Sequence, residues 1–160
     1  MKVLICSDSH GRHANLVKAI ENEKPLDMVI HCGDIEDGEE LIKEAAQCHL
    51  EAVTGNNDYF SELPSETVFM LGGKKVWLTH GHNYFVSLGI ERLKEEAVRK
   101  KVDVVLFGHT HRPFLEEQKD ILFINPGSIS YPRQIPRRPS YVMLIIDDND
   151  HWKLTQKFVT

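Results

Sequence analysis

The segment MKVLICSDSHGR (residues 1–12) carries a continuous apolar run, Val3–Cys6, that stops abruptly in polar residues. Such a run predicts a strand buried on both faces. DMVIHCGD (27–34) repeats the pattern and predicts a strand over Met28–Cys32. Apolar residues at helical spacing predict helices over His13–Lys24 and Glu39–Gln47, and a short strand follows at Glu51–Thr54. Strands that alternate with helices indicate right-handed crossovers and a largely parallel sheet.

The second half of the chain shows a different pattern, with two predicted hairpins. Its predicted elements are a hairpin over Val68–Leu71 and Val76–Leu78, a helix over Ser87–Lys101, a buried strand over Val102–Phe107, a hairpin over Phe114–Glu116 and Ile121–Ile124, and closing strands over Tyr141–Ile146 and Lys153–Val159. The residues therefore predict an α/β fold with two sheets, one of them richer in antiparallel hairpins. The length fits one domain over 1–160.

Composition excludes several classes of protein. The 19 Lys and Arg against 24 Asp and Glu give a net charge of −5, whereas stable nucleic-acid binding needs a basic surface. Three cysteines at irregular spacing do not form a disulfide framework, which favours a reducing compartment. No apolar run reaches membrane-spanning length, and the N-terminal one is too short for a signal peptide. We therefore expect a cytoplasmic protein without a membrane partner.

Five predicted strands end in residues that bind metal ions. These ends are Asp8-Ser9-His10, Gly33-Asp34, Gly55-Asn56-Asn57-Asp58, His80-Gly81-His82 and Gly108-His109-Thr110-His111. In open α/β sheets, ligands bind at the carboxyl ends of strands. Carboxylate, amide and imidazole groups together suit Mn, Fe, Co, Ni or Zn better than Mg or Ca. The absence of cysteine argues against a closed structural zinc site.

Taken singly, most of these motifs have an ordinary explanation. Gly-Asp pairs are common, Asn56 and Asn57 beside a glycine suit a turn, and a lone His80 would serve packing. Two histidines at the end of one buried strand, His109 and His111, are harder to explain by packing. The prediction of a metal site depends on all five motifs together.

Together the five motifs, with LTHGH (78–82) and INPGS (124–128), resemble the calcineurin-like metallophosphoesterase superfamily, in particular its small bacterial and archaeal phosphodiesterases. The resemblance covers nearly the whole chain. It implies a four-layer α/β/β/α sandwich of two mixed sheets. It also implies a divalent-metal-dependent phosphodiesterase that acts on a small phosphodiester. Two Mn²⁺ ions are the expected cofactors, with Ni²⁺, Fe²⁺, Co²⁺ or Zn²⁺ as alternatives.

The resemblance also implies two ligand sets. Asp34 would bridge two ions, together with a hydroxide that attacks phosphorus. One ion would take Asp8, His10, Asp34 and His111, and the other Asp34, Asn56, His80 and His109. Asp34 and Asn56 count among the catalytic candidates as well.

The chain departs from the family pattern at position 57, where asparagine replaces a histidine that lies near the scissile phosphate. Asn57 can donate a hydrogen bond to a phosphoryl oxygen but cannot deliver a proton near neutral pH. We therefore expect aryl phosphodiesters to be hydrolysed faster than alkyl ones. Asp58 matches the acidic position that follows. His82 either supplies the missing imidazole or orients His80, and the orienting role is favoured.

Two other classes of function stay open. One is a weakly catalytic or inactive interaction scaffold that resembles the small retromer subunit, and the other is a structural metal protein. The acidic segment Ile35–Gly38 stands where phosphoprotein phosphatases have a phosphate-binding arginine, which disfavours phosphoprotein substrates. Arg12 and the run Arg133, Arg137 and Arg138 are solvated by default, but the run also suits an anionic substrate or a contact between copies in a homo-oligomer.

Overall fold

A computed structural model describes residues 1–160, which form ten strands and three α-helices. In chain order they are β1 (Lys2–Cys6), α1 (Ala14–Glu23), β2 (Met28–His31), α2 (Glu39–Ala46), β3 (His49–Ala52), β4 (Glu66–Leu71), β5 (Lys74–Thr79), α3 (Glu91–Lys100), β6 (Val104–Leu106), β7 (Pro113–Gln118), β8 (Ile121–Pro126), β9 (Ser140–Ile146) and β10 (Trp152–Phe158). A 3₁₀ turn spans His82–Tyr84. None of the helices is long and apolar enough to cross a membrane.

The strands form two mixed sheets of five. The first has the order β10-β9-β1-β2-β3, and β1, β2 and β3 run parallel, as the alternation of strands and helices predicts. The second has the order β4-β5-β6-β8-β7, with a parallel centre and the hairpins β4-β5 and β7-β8 at its edges. The first sheet contains one hairpin, β9-β10. The second sheet is therefore the richer in hairpins, as predicted.

The two sheets pack face to face, with helices outside each. Val3 and Ile5 of β1 lie in the apolar cluster between the sheets. The alternate residues Leu4 and Cys6 pack against α1 and α2 on the outer face. The helix α3 covers the outside of the second sheet with Leu93 and other apolar residues. Because successive strand residues point to opposite faces, the apolar runs of β1 and β2 fill two layers of core at once. The four-layer α/β/β/α arrangement is confirmed.

Every predicted element except one has both ends within two residues of the observed bounds, and two of the shifts have a clear physical cause. The helix expected from Ser87 begins at Glu91, because Gly89 has a φ of +136° that a helix does not tolerate. The strand expected at Glu51–Thr54 is His49–Ala52, because β3 pairs only along the length of β2, which ends at His31. The chain is thus free to turn after Val53, where the ligand-rich loop begins.

Candidate metal centre

Five loops bring the predicted ligands together at one edge of the sandwich. They follow the carboxyl ends of β1, β2, β3, β5 and β6, all of which lie in parallel pairs. Two groups of side chains converge closely enough to hold a cation, with ligand atoms all within 4.8 Å of one another: Asp8, His10 and His111, and Asp8, Asp34 and His80.

The first cluster contains Asp8, His10 and His111. His10 Nδ1 lies 2.6 Å from Glu36 Oε1, and His111 Nδ1 lies 2.7 Å from the carbonyl oxygen of Tyr131. Both Nδ1 atoms therefore carry the proton, and both Nε2 atoms present lone pairs. These two Nε2 atoms lie 3.1 Å apart. Asp8 Oδ1 lies 3.2 Å from His111 Nε2. Three acceptors that face each other without a proton are arranged for a cation.

The second cluster contains Asp34, Asn56, His80 and His109. His80 Nδ1 lies 2.7 Å from the carbonyl oxygen of Cys32, so its Nε2 lone pair faces inward, 3.3 Å from Asp34 Oδ2. Asn56 Oδ1 lies 3.2 Å from His80 Nε2 and 2.9 Å from His109 Nδ1. Oxygen and nitrogen acceptors again converge on one point.

The two aspartates join the clusters. Asp34 Oδ2 is 3.6 Å from His10 Nε2 as well as 3.3 Å from His80 Nε2. Asp8 Oδ1 is buried, has no hydrogen-bond donor, and lies 3.8 Å from His80 Nε2. A buried carboxylate oxygen without a donor is costly unless a cation satisfies it. The donor set therefore fits divalent cations, and Asp8 as well as Asp34 faces both clusters.

The backbone of this edge is strained where the ligands lie. Five of the seven predicted ligands have a positive φ: Asp8 (+56°), His10 (+47°), Asp34 (+56°), His109 (+69°) and His111 (+58°). A left-handed backbone costs a residue other than glycine about 1–2 kcal/mol. Such strain concentrates at functional sites, where the surrounding structure holds it in place. The strained backbone turns Asp8 and His10 toward the first cluster, and it directs His111 to the first cluster and His109 to the second.

Two glycines allow the loops to approach closely. A Cβ on Gly55 would overlap the carboxylate of Asp34, and a Cβ on Gly108 would overlap the side chains of Ser7 and Asp8. Both positions therefore require glycine for space.

The pKa values of Asp34 and Asp8 are lowered, which favours their ionised forms. Burial raises the pKa of Asp34, but His80 and the hydrogen bonds from Asn57 outweigh it and hold the pKa well below its ordinary value. Burial likewise opposes ionisation of Asp8, and the neighbouring His111 and His80 lower its pKa. Burial and the nearby His80 lower the pKa of His109 and keep that imidazole neutral. Ionised carboxylates are the form that binds metal ions. Burial lowers the pKa of His80, but Asp34 and Asp8 outweigh burial and raise it, so a cation at this position competes with a proton.

Asn57 points at Asp34. Its backbone N–H donates to Asp34 Oδ1 at 2.8 Å, and its side-chain amide donates to Oδ2 at 2.8 Å. The amide thus holds the carboxylate that lies between the two clusters.

Asp58 holds the loops rather than facing the clusters. Its carboxylate accepts hydrogen bonds from the backbone N–H groups of Asp34 (2.8 Å), Glu36 (2.7 Å) and Gly55 (2.7 Å). It therefore joins the loop after β2 to the loop after β3. This geometry is that of a positioning residue.

We expect Asp58→Ala to lower the free energy of unfolding by about 2 kcal/mol, because three N–H groups lose a charged acceptor. Urea denaturation of the metal-free protein measures this directly. Asp148→Ala is the matched control, because Asp148 is an exposed aspartate far along the chain from the loops. An unchanged midpoint for Asp58→Ala would contradict the role in holding the loops.

His82 does not orient His80, contrary to the role favoured from the sequence. The Cys32 carbonyl already accepts from His80 Nδ1. The His82 ring lies beside both second-cluster histidines, with centroids 5.4 Å from His80 and 6.1 Å from His109, and its Nδ1 is buried without a partner. His82 is therefore an imidazole next to the second cluster that has no structural hydrogen bond.

Several residues that support the ligands were not identified from the sequence. Glu36 and the carbonyl groups of Cys32 and Tyr131 fix the orientation of three ligand histidines. His31 is fully buried. It accepts from Gly33 N–H through Nδ1 and lies 3.0 Å from Ser9 Oγ. His31 thus links the loops after β1 and β2, while its position inside an apolar strand gave no signal of this.

The INPGS segment fastens two more ligand loops. Asn125 donates through Nδ2 to the carbonyl oxygen of Gly108 at 2.8 Å. Ser128 donates through Oγ to the carbonyl oxygen of Asp8 at 2.8 Å. The motif was noted in the sequence only for its resemblance, and its role is to hold the ligand loops in place.

Comparison with known proteins agrees with this geometry. The family model described as the calcineurin-like phosphoesterase superfamily domain matches residues 1–149. The chain is 35% identical over 150 residues to the probable metallophosphoesterase YsnB of Bacillus subtilis, which covers 93% of this chain and 86% of the relative. It is 34% identical over 146 residues to the phosphodiesterase MJ0936 of Methanocaldococcus jannaschii, which covers 79% of this chain and 83% of the relative.

A solved structure shares the fold at lower sequence identity. Vps29 of Entamoeba histolytica, complexed with Zn²⁺, superposes with a TM-score of 0.79 at 24% identity over all of both chains. At this identity the similarity concerns the fold alone.

Proposed function

The chain belongs to the calcineurin-like phosphoesterase superfamily, and from that premise we propose that it is a phosphodiesterase that depends on two divalent cations. The observation that carries the proposal is Asp8 Oδ1, a buried carboxylate oxygen without a hydrogen-bond donor, which lies between the Nε2 atoms of His80 and His111. The name of the archaeal relative supports phosphodiesters as the substrate class.

Each cluster is suited to hold one cation. Asp8, His10 and His111 would hold the first, and Asn56, His80 and His109 the second, with Asp34 shared between them. Cations at such positions supply Lewis-acid polarisation of phosphoryl oxygens and make water a nucleophile at neutral pH. The mixture of nitrogen and oxygen ligands favours Mn²⁺ or its neighbours in the first transition row.

Asn57 and Asp58 fix the geometry of the site, and their chemistry limits which group can protonate the leaving group. Asn57 holds the shared carboxylate of Asp34, and Asp58 fixes the loops that carry both. Since neither group donates a proton near neutral pH, protonation of the leaving group falls to His82 or to water. His82 lies beside the second cluster, and its Nδ1 has no hydrogen-bond partner.

We expect metal-loaded protein to hydrolyse bis(4-nitrophenyl) phosphate, because an aryl leaving group needs little protonation. Release of 4-nitrophenolate is followed with metal-free protein and after addition of Mn²⁺, Ni²⁺, Co²⁺ or Zn²⁺, while calorimetry records the number of ions bound. Protein that binds metal but shows no turnover with any of these ions would contradict the proposal and favour the scaffold function instead.

A further inference from the structure

A cleft of about 700 Å³ opens beside the first ligand cluster. Two of its lining residues are the ligands His10 and His111, and three others are Arg112, Arg133 and Arg137. The cleft therefore borders both the cluster and the three guanidinium groups.

The charge of the cleft is positive in a chain that is negative overall. None of Arg112, Arg133 and Arg137 has a carboxylate within 4 Å, since they form none of the ion pairs found on this surface. Some other basic side chains do have an acid nearby, for example Lys43 with Glu40 at 2.7 Å. Glu36, the one carboxylate in the cleft, is hydrogen-bonded to a ligand histidine. The three guanidinium groups are thus free for an anion.

The loop that carries two of these arginines is fixed to the ligand loops. The backbone N–H of Arg133 donates to the carbonyl oxygen of His111 at 3.0 Å, and Ser130 Oγ donates to that of Arg12 at 2.7 Å. The carbonyl oxygen of Tyr131 orients His111. The position of the arginines relative to the clusters is therefore set by the same hydrogen bonds that orient the ligands.

The last two arginines of the basic run, Arg137 and Arg138, lie in different surroundings. Arg138 does not line the cleft, because its guanidinium lies over the ring of Phe158, 4.8 Å from the centroid. Arg137 lines the cleft one residue earlier. The chain thus provides a cleft arginine and a matched arginine outside the cleft in adjacent positions.

A neighbouring cleft, which shares Glu36 with the first, has the reverse charge. This second cleft, of about 540 Å³, is lined by acidic residues that include Glu39 and Asp58, together with Tyr59 and Phe60. An anionic substituent is repelled there and attracted to the arginine side. The site therefore has a direction along which a charged substrate aligns.

We propose that the arginine cleft binds a second phosphate group of the substrate, so that the preferred substrates are phosphodiesters that also carry a phosphate monoester. This inference rests on the proposed phosphodiesterase function. The guanidinium fork matches phosphate oxygens with two parallel hydrogen bonds. Three such groups beside the clusters select substrates by that second charge.

The test compares two substrates that differ only in the second phosphate. They are the 4-nitrophenyl ester of thymidine 5′-phosphate and the same ester with a 3′-phosphate, both of which release 4-nitrophenolate. We expect kcat/KM to be about tenfold or more higher for the phosphorylated ester, the gain of one charge-assisted hydrogen bond. Arg133→Ala and Arg137→Ala reduce that ratio to about 1, whereas Arg138→Ala keeps it.

The outcomes separate this inference from the proposed function. Equal kcat/KM for both esters in the unmodified protein overturns the inference and leaves the phosphodiesterase function standing. A preference that Arg138→Ala removes as fully as Arg137→Ala also overturns it, because the arginines would act only by overall charge. If neither ester is hydrolysed, calorimetry in EDTA measures the binding of thymidine phosphates to the metal-free protein and tests the arginine cleft without turnover. Tighter binding of thymidine 3′,5′-bisphosphate than of thymidine 5′-phosphate, lost in Arg137→Ala, supports the cleft, and equal binding overturns it.

Discussion

An Asp34→Asn variant is expected to lose at least about a thousandfold in kcat/KM on bis(4-nitrophenyl) phosphate, equivalent to about 4 kcal/mol of transition-state stabilisation. Asp34 Oδ2 lies within 3.6 Å of a histidine of each cluster, so its charge is the one that both proposed cations share. An amide in its place also brings its N–H₂ group against the N–H₂ group of Asn57, which now donates to Asp34 Oδ2 at 2.8 Å.

Metal content distinguishes this explanation from a general loss of folding. The variant is expected to bind at most one Mn²⁺ per chain, whereas the unmodified protein is expected to bind two. Circular dichroism and urea denaturation of the metal-free proteins test whether the fold is kept. Asp148→Asn provides the control for loss of one surface charge. A variant that retains both ions and a tenth of the activity would show that Asp34 does not join the clusters.

The fold was predictable because its signals are local. A strand can be recognised from an apolar run that ends in SDSHGR or GD without reference to distant residues. The spacing of apolar residues then separates strands from helices. The ligand types were predictable for the same reason, since polar residues that follow directly after buried strands all reach one edge of parallel sheets. The structure brings all seven predicted ligands to that edge.

The partners of the ligands were not predictable, because they depend on contacts across the chain. The orientation of His111 comes from the carbonyl oxygen of Tyr131, and that of His80 from Cys32, 48 residues away. A backbone carbonyl has no signature in the sequence. The favoured role of His82 was wrong for this reason, and Asp58 gave no sign that it accepts three backbone N–H groups. The resemblance indicated the candidate ligands, while the way they converge could be seen only in the fold.

Replacing Asn57 by histidine is expected to raise turnover of alkyl phosphodiesters relative to aryl ones by about a hundredfold, the lower end of what a positioned general acid contributes. In the unmodified protein the side chain at this position is an amide that donates to Asp34. An imidazolium there can protonate a departing alkoxide, which a 4-nitrophenolate does not need. The backbone N–H of residue 57, which donates to Asp34 Oδ1, is retained in the variant.

The measurement compares thymidylyl-(3′→5′)-thymidine, which releases a sugar alcohol, with bis(4-nitrophenyl) phosphate. The unmodified protein is expected to favour the aryl substrate, and Asn57→His to narrow that preference. Asn57→Ala is the control, because it removes the amide of Asn57 from Asp34 without supplying an imidazole. It is expected to slow both substrates alike.

The same pair of substrates assigns the proton donor of the unmodified protein. If His82 protonates the leaving group, His82→Ala slows the alkyl substrate by about a hundredfold and the aryl substrate little, and Asn57→His then restores the alkyl rate in the double variant. If water is the donor, His82→Ala leaves the ratio of the two rates unchanged. Burial and the neighbouring His80 lower the pKa of His82, so its imidazole is neutral near neutral pH and we expect the second result. The unmodified protein then lacks a side-chain acid for the leaving group, which is the reason that Asn57→His favours the alkyl substrate.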